Sequence, residues 1–187
     1  MKNNLPVNFL NVTWKDFEKE CIALSKKIKG LKIDKIIAIS RGGLVASRIL
    51  SDLLTVKISH ISISSYKNLR QEKEPMISDV PKVNLKGKNI LIVDDVSDTG
   101  KTLKRAIRYF KDLDVKTVYT TTPYIKPNTI QIPDFWTKKT NSWIIFPYEI
   151  KETAKTFVKL FKSKEKASKK LISLGLNKNT INYVLSE

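Results

Sequence analysis

The chain has 187 residues, 41% of them hydrophobic and 28% charged, which suits one compact domain with a short appendage and excludes a disordered polymer. A single cysteine excludes an intrachain disulfide framework, and a single histidine, His60, excludes a His-based triad or a His-rich metal site. The net charge of +17 suits anionic partners (phosphorylated small molecules, nucleic acid or acidic lipid) and is equally what a lysine-rich proteome produces.

No apolar run approaches the ~20 residues that span a bilayer. The start, Met1-Lys-Asn-Asn-Leu-Pro, has no signal-peptide apolar stretch, so no membrane partner and a cytoplasmic setting are expected.

In chain order, the hydroxyl of Thr13 can cap a helix that Gly30 stops. On it Trp14, Phe17, Cys21, Leu24 and Ile28 share one face, which reads Cys21 as a core residue rather than a nucleophile. Lys35–Ser40 is a strand-sized apolar run, Arg41-Gly42-Gly43 a turn, and Leu44–Leu54 a helix. Val56–Ser65 alternates apolar and polar residues as a strand does, while Lys67–Lys88 is polar, charged and Pro-containing and reads as a long mobile loop. A second buried strand, Ile90–Val93, leads through a Gly-containing turn into a helix from Thr102 to Leu113. Val115–Thr122 and the short run Trp143–Phe146 are further strands.

Strands alternating with helices predict an α/β fold with a doubly wound parallel sheet, its ligand beyond the carboxyl ends of the strands. Residues 151–187 carry nine lysines, three glutamates and no strand pattern, so the expected division is a domain over 1–150 and a basic helical appendage over 151–187.

Residues 90–102, Ile-Leu-Ile-Val-Asp-Asp-Val-Ser-Asp-Thr-Gly-Lys-Thr, concentrate the chemistry. Asp94 and Asp95 stand at the end of a buried strand, placed to accept hydrogen bonds from vicinal hydroxyls directly or through a hydrated cation. The turn of Asp98, Thr99, Gly100, Lys101 and Thr102 offers backbone N–H groups, two hydroxyls and the positive end of a helix, a cradle for a phosphate. Gly100-Lys101-Thr102 ends like a P-loop, but the glycine that motif needs five residues earlier is Asp95, and two carboxylates would repel a triphosphate.

This stretch resembles the phosphoribosyl pyrophosphate motif of type I phosphoribosyltransferases. The likeness extends over residues 10–150 towards the xanthine-guanine enzymes and archaeal purine relatives. The resemblance implies that Ser40, Arg41, Gly42 and Gly43 form a pyrophosphate loop, with a cis peptide between Ser40 and Arg41. It implies that Ser65 and Tyr66 begin a flexible catalytic loop that excludes water, from which Arg70 and Lys73 reach pyrophosphate; a solvated charged loop is the alternative for those two.

By the same resemblance Lys126 donates to the oxygen at purine C6, Trp143 stacks on the base, and Ile144 reads its edge through backbone groups. Taken alone, Trp143 has a core tryptophan as its alternative reading. Glu149 stands where relatives carry an acid near magnesium, so the implied cofactor is Mg²⁺, with Asp94, Asp95 and Glu149 as its carboxylates. Asp98 is implied as the catalytic residue that accepts or orients the N7 proton.

The expected activity is therefore transfer from phosphoribosyl pyrophosphate to guanine, hypoxanthine or xanthine in purine salvage. An adenine enzyme is one alternative. A phosphoribosyl-pyrophosphate-sensing regulator that binds nucleic acid is the other, disfavoured because the tail has no recognition motif and few aromatics for stacking. The resemblance also implies a homo-oligomer, dimer or tetramer, with the tail beside the base pocket or at a subunit interface.

Overall fold

The computed structural model describes residues 8–67 and 70–186, except the side chains of 65–74. In chain order the elements are β1 (Phe9–Asn11), α1 (Trp14–Ile28), β2 (Lys35–Ser40), α2 (Gly43–Leu54), β3 (Ile58–Lys67) and β4 (Arg70–Asp79). There follow β5 (Asn89–Val93), β6 (Val96–Ser97), α3 (Lys101–Lys111), β7 (Thr117–Ile125), β8 (Phe135–Lys139) and β9 (Trp143–Ile145). The chain ends in α4 (Ile150–Phe161), α5 (Lys164–Ser173) and α6 (Lys178–Ser186). They fall into two compact units, residues 18–140 and residues 1–17 with 141–187.

The larger unit is built on a seven-stranded sheet of order β4-β3-β2-β5-β7-β6, with β8 also against β7. Every pairing is parallel except β3 with β4. β2 and β5 are buried along nearly their whole length, as strands covered on both faces must be. On one face Ile37, Ile39, Ile90 and Ile92 pack with Leu103, Ala106 and Phe110 of α3. Ile36, Ala38, Leu91 and Val93 alternate to the other face and are also sealed from solvent. Each such aliphatic side chain contributes about 1.5–3 kcal/mol on burial.

The expected loop over Lys67–Lys88 is corrected: much of it is β4, antiparallel to β3, with Ile63 opposite Ile77 and Lys67 opposite Arg70. Its sequence, Arg70-Gln-Glu-Lys-Glu-Pro-Met-Ile-Ser-Asp79, looks unlike a strand because it is an edge strand. An edge tolerates charge and proline, since one side of its backbone needs no partner. β1, β6 and β8 were not expected, and β7 runs three residues further than the periodicity suggests, through Pro123 to Ile125.

In the smaller unit β1 and β9 form a parallel pair, Phe9 opposite Trp143. The three C-terminal helices close on it through Ile145, Ala154, Phe157, Ala167, Leu171 and Ile181, with Phe9 and Phe157 rings 5.0 Å apart. Local chemistry sets the helix ends. Ser163 Oγ accepts from Lys166 N–H at 3.2 Å, Asn177 Oδ1 accepts from Thr180 N–H at 3.1 Å, and Gly175 takes φ +88° between α5 and α6. The tail is thus a packed three-helix element sharing its core with the first strand. Among the described residues no helix is long and apolar enough to cross a membrane.

α1 starts as expected: Thr13 Oγ accepts from Asp16 N–H at 3.1 Å, and the Asp16 carboxylate accepts from Thr13 N–H at 3.1 Å. Phe17, Cys21, Leu24 and Ile28 are buried along one face, but Trp14 is 57% exposed, its ring beside that of Tyr148. Burial, reinforced by Glu20 and Glu18, pushes the Cys21 thiol up to about 12. Cys21 is therefore expected to stay unreactive towards Ellman's reagent at pH 8 in the native chain and to release one equivalent on denaturation. Native labelling at the unfolded rate would remove it from the core.

Candidate active site

The parallel register of β2 with β5, Lys35 opposite Ile90 and Ala38 opposite Val93, brings both carboxyl ends to one edge of the sheet. From β2 the chain moves outward to β3 on one side, and β5 returns on the other, so strand order reverses between β2 and β5. That is where an open α/β sheet leaves a crevice. Ser40–Gly43 leave β2 there and Asp94–Thr102 leave β5.

The two segments touch. A Cβ on Gly42 would lie 2.7 Å from Asp95 Cγ, and one on Gly43 would lie 3.0 Å from Asp94 Cα. Gly42 has φ −52°, which any residue adopts, so glycine stands here for room rather than for backbone freedom. The Ser40–Arg41 peptide is cis, as the resemblance implied. Arg41 is exposed, Gly42 half-buried and Gly43 buried.

Asp95 is 7% exposed and Asp94 half-buried, with Asp94 Oδ1 accepting from Asp95 N–H at 3.0 Å. β7 carries the segment onward. Asp94 N–H donates to Thr121 O at 3.2 Å, Tyr124 N–H to Asp95 O at 3.3 Å, and Lys126 N–H to Ser97 O at 3.0 Å. Asp98 and Thr99 are exposed, Gly100 is buried at φ +79°, and Lys101 and Thr102 are half-buried.

Helices α2 and α3 both begin at this crevice. Their N-cap residues, Gly42 and Gly100, have no capping side chain, Thr99 Oγ1 accepts weakly from Lys101 N–H at 3.5 Å, and neither first turn carries an acid among the described residues. A helix end ordinarily satisfies its first N–H groups with a capping oxygen, so two such ends converging on one crevice suit an anionic ligand with two separated charged groups. Lys126 reaches the same place: burial lowers its pKa from the ordinary lysine value, and the charge of Asp98 opposes that shift. It is a partly desolvated cation beside a carboxylate, able to donate to a ligand oxygen.

Among the described residues no three acidic, histidine or cysteine side chains gather as a metal cage. Asp94 and Asp95 are adjacent hard-oxygen donors, the set through which magnesium is held when a ligand's own oxygens supply the rest. Their chemistry fits that ion.

In the smaller unit Trp143 is held on β9 by its backbone N–H donating to Asn8 O at 2.9 Å, and at 45% exposure it is not a core tryptophan. Ile144 is buried beside it. Glu149 is the N-cap residue of α4, its carbonyl accepting from Thr153 N–H at 2.8 Å. Tyr148 stacks on Phe146 with ring centroids 5.3 Å apart and meets the Phe17 ring edge-on. The expected loop residues Ser65, Tyr66, Arg70 and Lys73 have side chains outside the described residues, though their backbone belongs to β3 and β4. Sequence reasoning missed Ser97, Thr129 and Gln131, which are hydrogen-bonded to one another beside the Asp98–Thr102 turn; neither charge nor glycine marks them.

A family model described as the phosphoribosyl transferase domain matches residues 12–153. A xanthine-guanine phosphoribosyltransferase of Cereibacter sphaeroides (strain ATCC 17025 / ATH 2.4.3) is 30% identical over 161 residues, 80% of this chain and 93% of that protein. Among solved structures, a purine phosphoribosyltransferase from Pyrococcus horikoshii Ot3 matches with a TM-score of 0.70 and 35% identity, over 76% of this chain and 94% of that one. A Neisseria gonorrhoeae protein with bound ppGpp matches with a TM-score of 0.67 and 27% identity, over 76% of this chain and 89% of that one.

Gly42→Ala is expected to lower the unfolding free energy by about 1–3 kcal/mol, because the methyl must displace the Asp95 carboxylate. An unchanged urea midpoint would mean that the turn does not lie against Asp95.

Proposed function

This chain belongs to the phosphoribosyltransferase family, and from that premise we propose that it transfers the phosphoribosyl group of phosphoribosyl pyrophosphate to a 6-oxopurine. The products are the nucleoside 5′-monophosphate and pyrophosphate. The single observation that carries the choice of base is Lys126, partly buried and electrostatically coupled to Asp98 at the sugar-phosphate motif. A charged donor matches the C6 oxygen of guanine, hypoxanthine or xanthine; against the 6-amino group of adenine it would face another donor. The xanthine-guanine relative supports the same choice, and ppGpp, bound by the Neisseria protein, contains guanine.

In this reading the 5′-phosphate rests on residues 98–102 at the start of α3, where N–H groups and the helix dipole meet it. Asp94 and Asp95 accept from the ribose hydroxyls. The backbone of Arg41–Gly43 at the start of α2 and the Arg41 guanidinium receive the pyrophosphate. Trp143 offers its exposed face for stacking and Ile144 its backbone. Asp94 and Asp95 are the carboxylates that would hold Mg²⁺, whose chemistry is to neutralise charge on the departing pyrophosphate.

The C1–O bond breaks with its electron pair on pyrophosphate while the N9 lone pair forms the new bond to C1. The proton on N7 passes to Asp98, which is exposed at the crevice. Lys126 holds the C6 oxygen and so fixes which nitrogen faces the sugar.

The test is product formation from phosphoribosyl pyrophosphate and Mg²⁺ with adenine, guanine, hypoxanthine and xanthine in turn. At least one 6-oxopurine should give its monophosphate and adenine none; turnover of adenine alone would overturn the assignment. Asp98→Asn should lower kcat by about 10²-fold or more while leaving the KM for phosphoribosyl pyrophosphate nearly unchanged. Equal losses in both would count against its role as base.

A further inference from the structure

The turn that cradles the phosphate does not hold itself. Gly100 is buried in a left-handed conformation, and the space where its Cβ would stand is filled by residues about thirty positions away. A Cβ there would lie 2.6 Å from Thr129 Oγ1 and 3.0 Å from Gln131 Cβ. Ile130 N–H donates to Thr99 O at 3.0 Å, joining the same segment to the turn through backbone.

Ser97, Thr129 and Gln131 are linked by a closed set of hydrogen bonds. Ser97, 2% exposed, donates its hydroxyl proton to Gln131 O at 2.8 Å. Ser97 Oγ and Thr129 Oγ1 share a hydrogen bond of 2.8 Å that either can donate, and the Thr129 hydroxyl also lies 3.2 Å from Gln131 O. Gln131 N–H donates to Thr129 Oγ1 at 3.4 Å, the longest of these bonds. Bonds linked this way polarise one another. Ser97 immediately precedes the turn, so this set anchors its start while Ile130 holds its middle.

We propose that Thr129 is a positioning residue for phosphoribosyl pyrophosphate: its hydroxyl, through Ser97 and Gln131, fixes the Asp98–Thr102 turn in the shape that receives the 5′-phosphate. This rests on the transferase reading above. Thr129 touches neither substrate in this account. It acts by keeping the N–H groups of the turn aimed before the ligand arrives, so that binding does not have to order them.

Three variants separate the hydroxyl from mere packing. Thr129→Val keeps the shape and loses the hydroxyl, Thr129→Ser keeps the hydroxyl and loses a methyl, and Thr129→Ala repeats the deletion without demanding room should the valine fold poorly. The KM for phosphoribosyl pyrophosphate should rise about five- to tenfold in the valine and alanine variants, with kcat and the KM for the base little moved. Serine should restore the wild-type value.

Wild-type KM in the valine and alanine variants would overturn the proposal. So would a rise shared by serine, or a parallel rise in both KM values with a lowered Tm, which is the signature of general loosening. A wild-type chain that neither binds nor turns over phosphoribosyl pyrophosphate would sink the transferase reading and this proposal with it; an active wild type with indifferent variants sinks this proposal alone.

Discussion

At the carboxyl edge of the sheet the backbone of Gly42 and Gly43 lies against Asp95 and the end of β5 at a separation that leaves no room for a Cβ. Everything chemical in the larger unit depends on that approach. It forces two loops from neighbouring parallel strands into one crevice, so that an acidic pair from β5 and a glycine turn from β2 face a common ligand. It also brings together the starts of α2 and α3, each with a glycine at its N-cap, giving the crevice partial positive charge at two points around a negative centre. A ligand with phosphate at both ends and hydroxyls between them matches that pattern.

The carboxylates and the cation of the site also depend on different amounts of solvent. Asp95 is almost sealed, Asp94 half so, and Asp98 open. A graded series gives neighbouring acids different surroundings, which suits them to different roles in the proposed transfer. Lys126 is intermediate, desolvated enough to lower its pKa and close enough to Asp98 to have that shift opposed.

How much of this was legible beforehand depends on the range of the forces involved. The strand Asn89–Val93, the acidic pair Asp94–Asp95 and the turn at Gly100 follow one another in the chain, so their chemistry is local and can be read from spacing. Thr13 capping α1 and Cys21 on its buried face are likewise consequences of neighbours within a turn or two. The edge strand β4 was not legible, because its charges and proline are allowed only by its place at the margin of the sheet. β8 was missed for a related reason: Phe135-Trp-Thr-Lys-Lys139 has no clean alternation and becomes a strand by pairing with β7. Trp14 heads an apolar stripe yet stays exposed, since a stripe says which face is apolar and not how far the partner extends.

The amino-acid order by itself determined the class of fold and the strand–acid–turn segment of residues 90–102, because each is encoded by residues adjacent in the chain, while the cis peptide between Ser40 and Arg41 was implied only by the family resemblance. Only the tertiary structure decided that Lys126 stands with Asp98, that Gly42 is small for the sake of Asp95, and that Ser97, Thr129 and Gln131 are hydrogen-bonded to one another beside the cradle. Those relations join residues about thirty to fifty positions apart. They exist because parallel strands β2, β5 and β7 place their carboxyl ends side by side, and a one-dimensional pattern carries no measure of that distance.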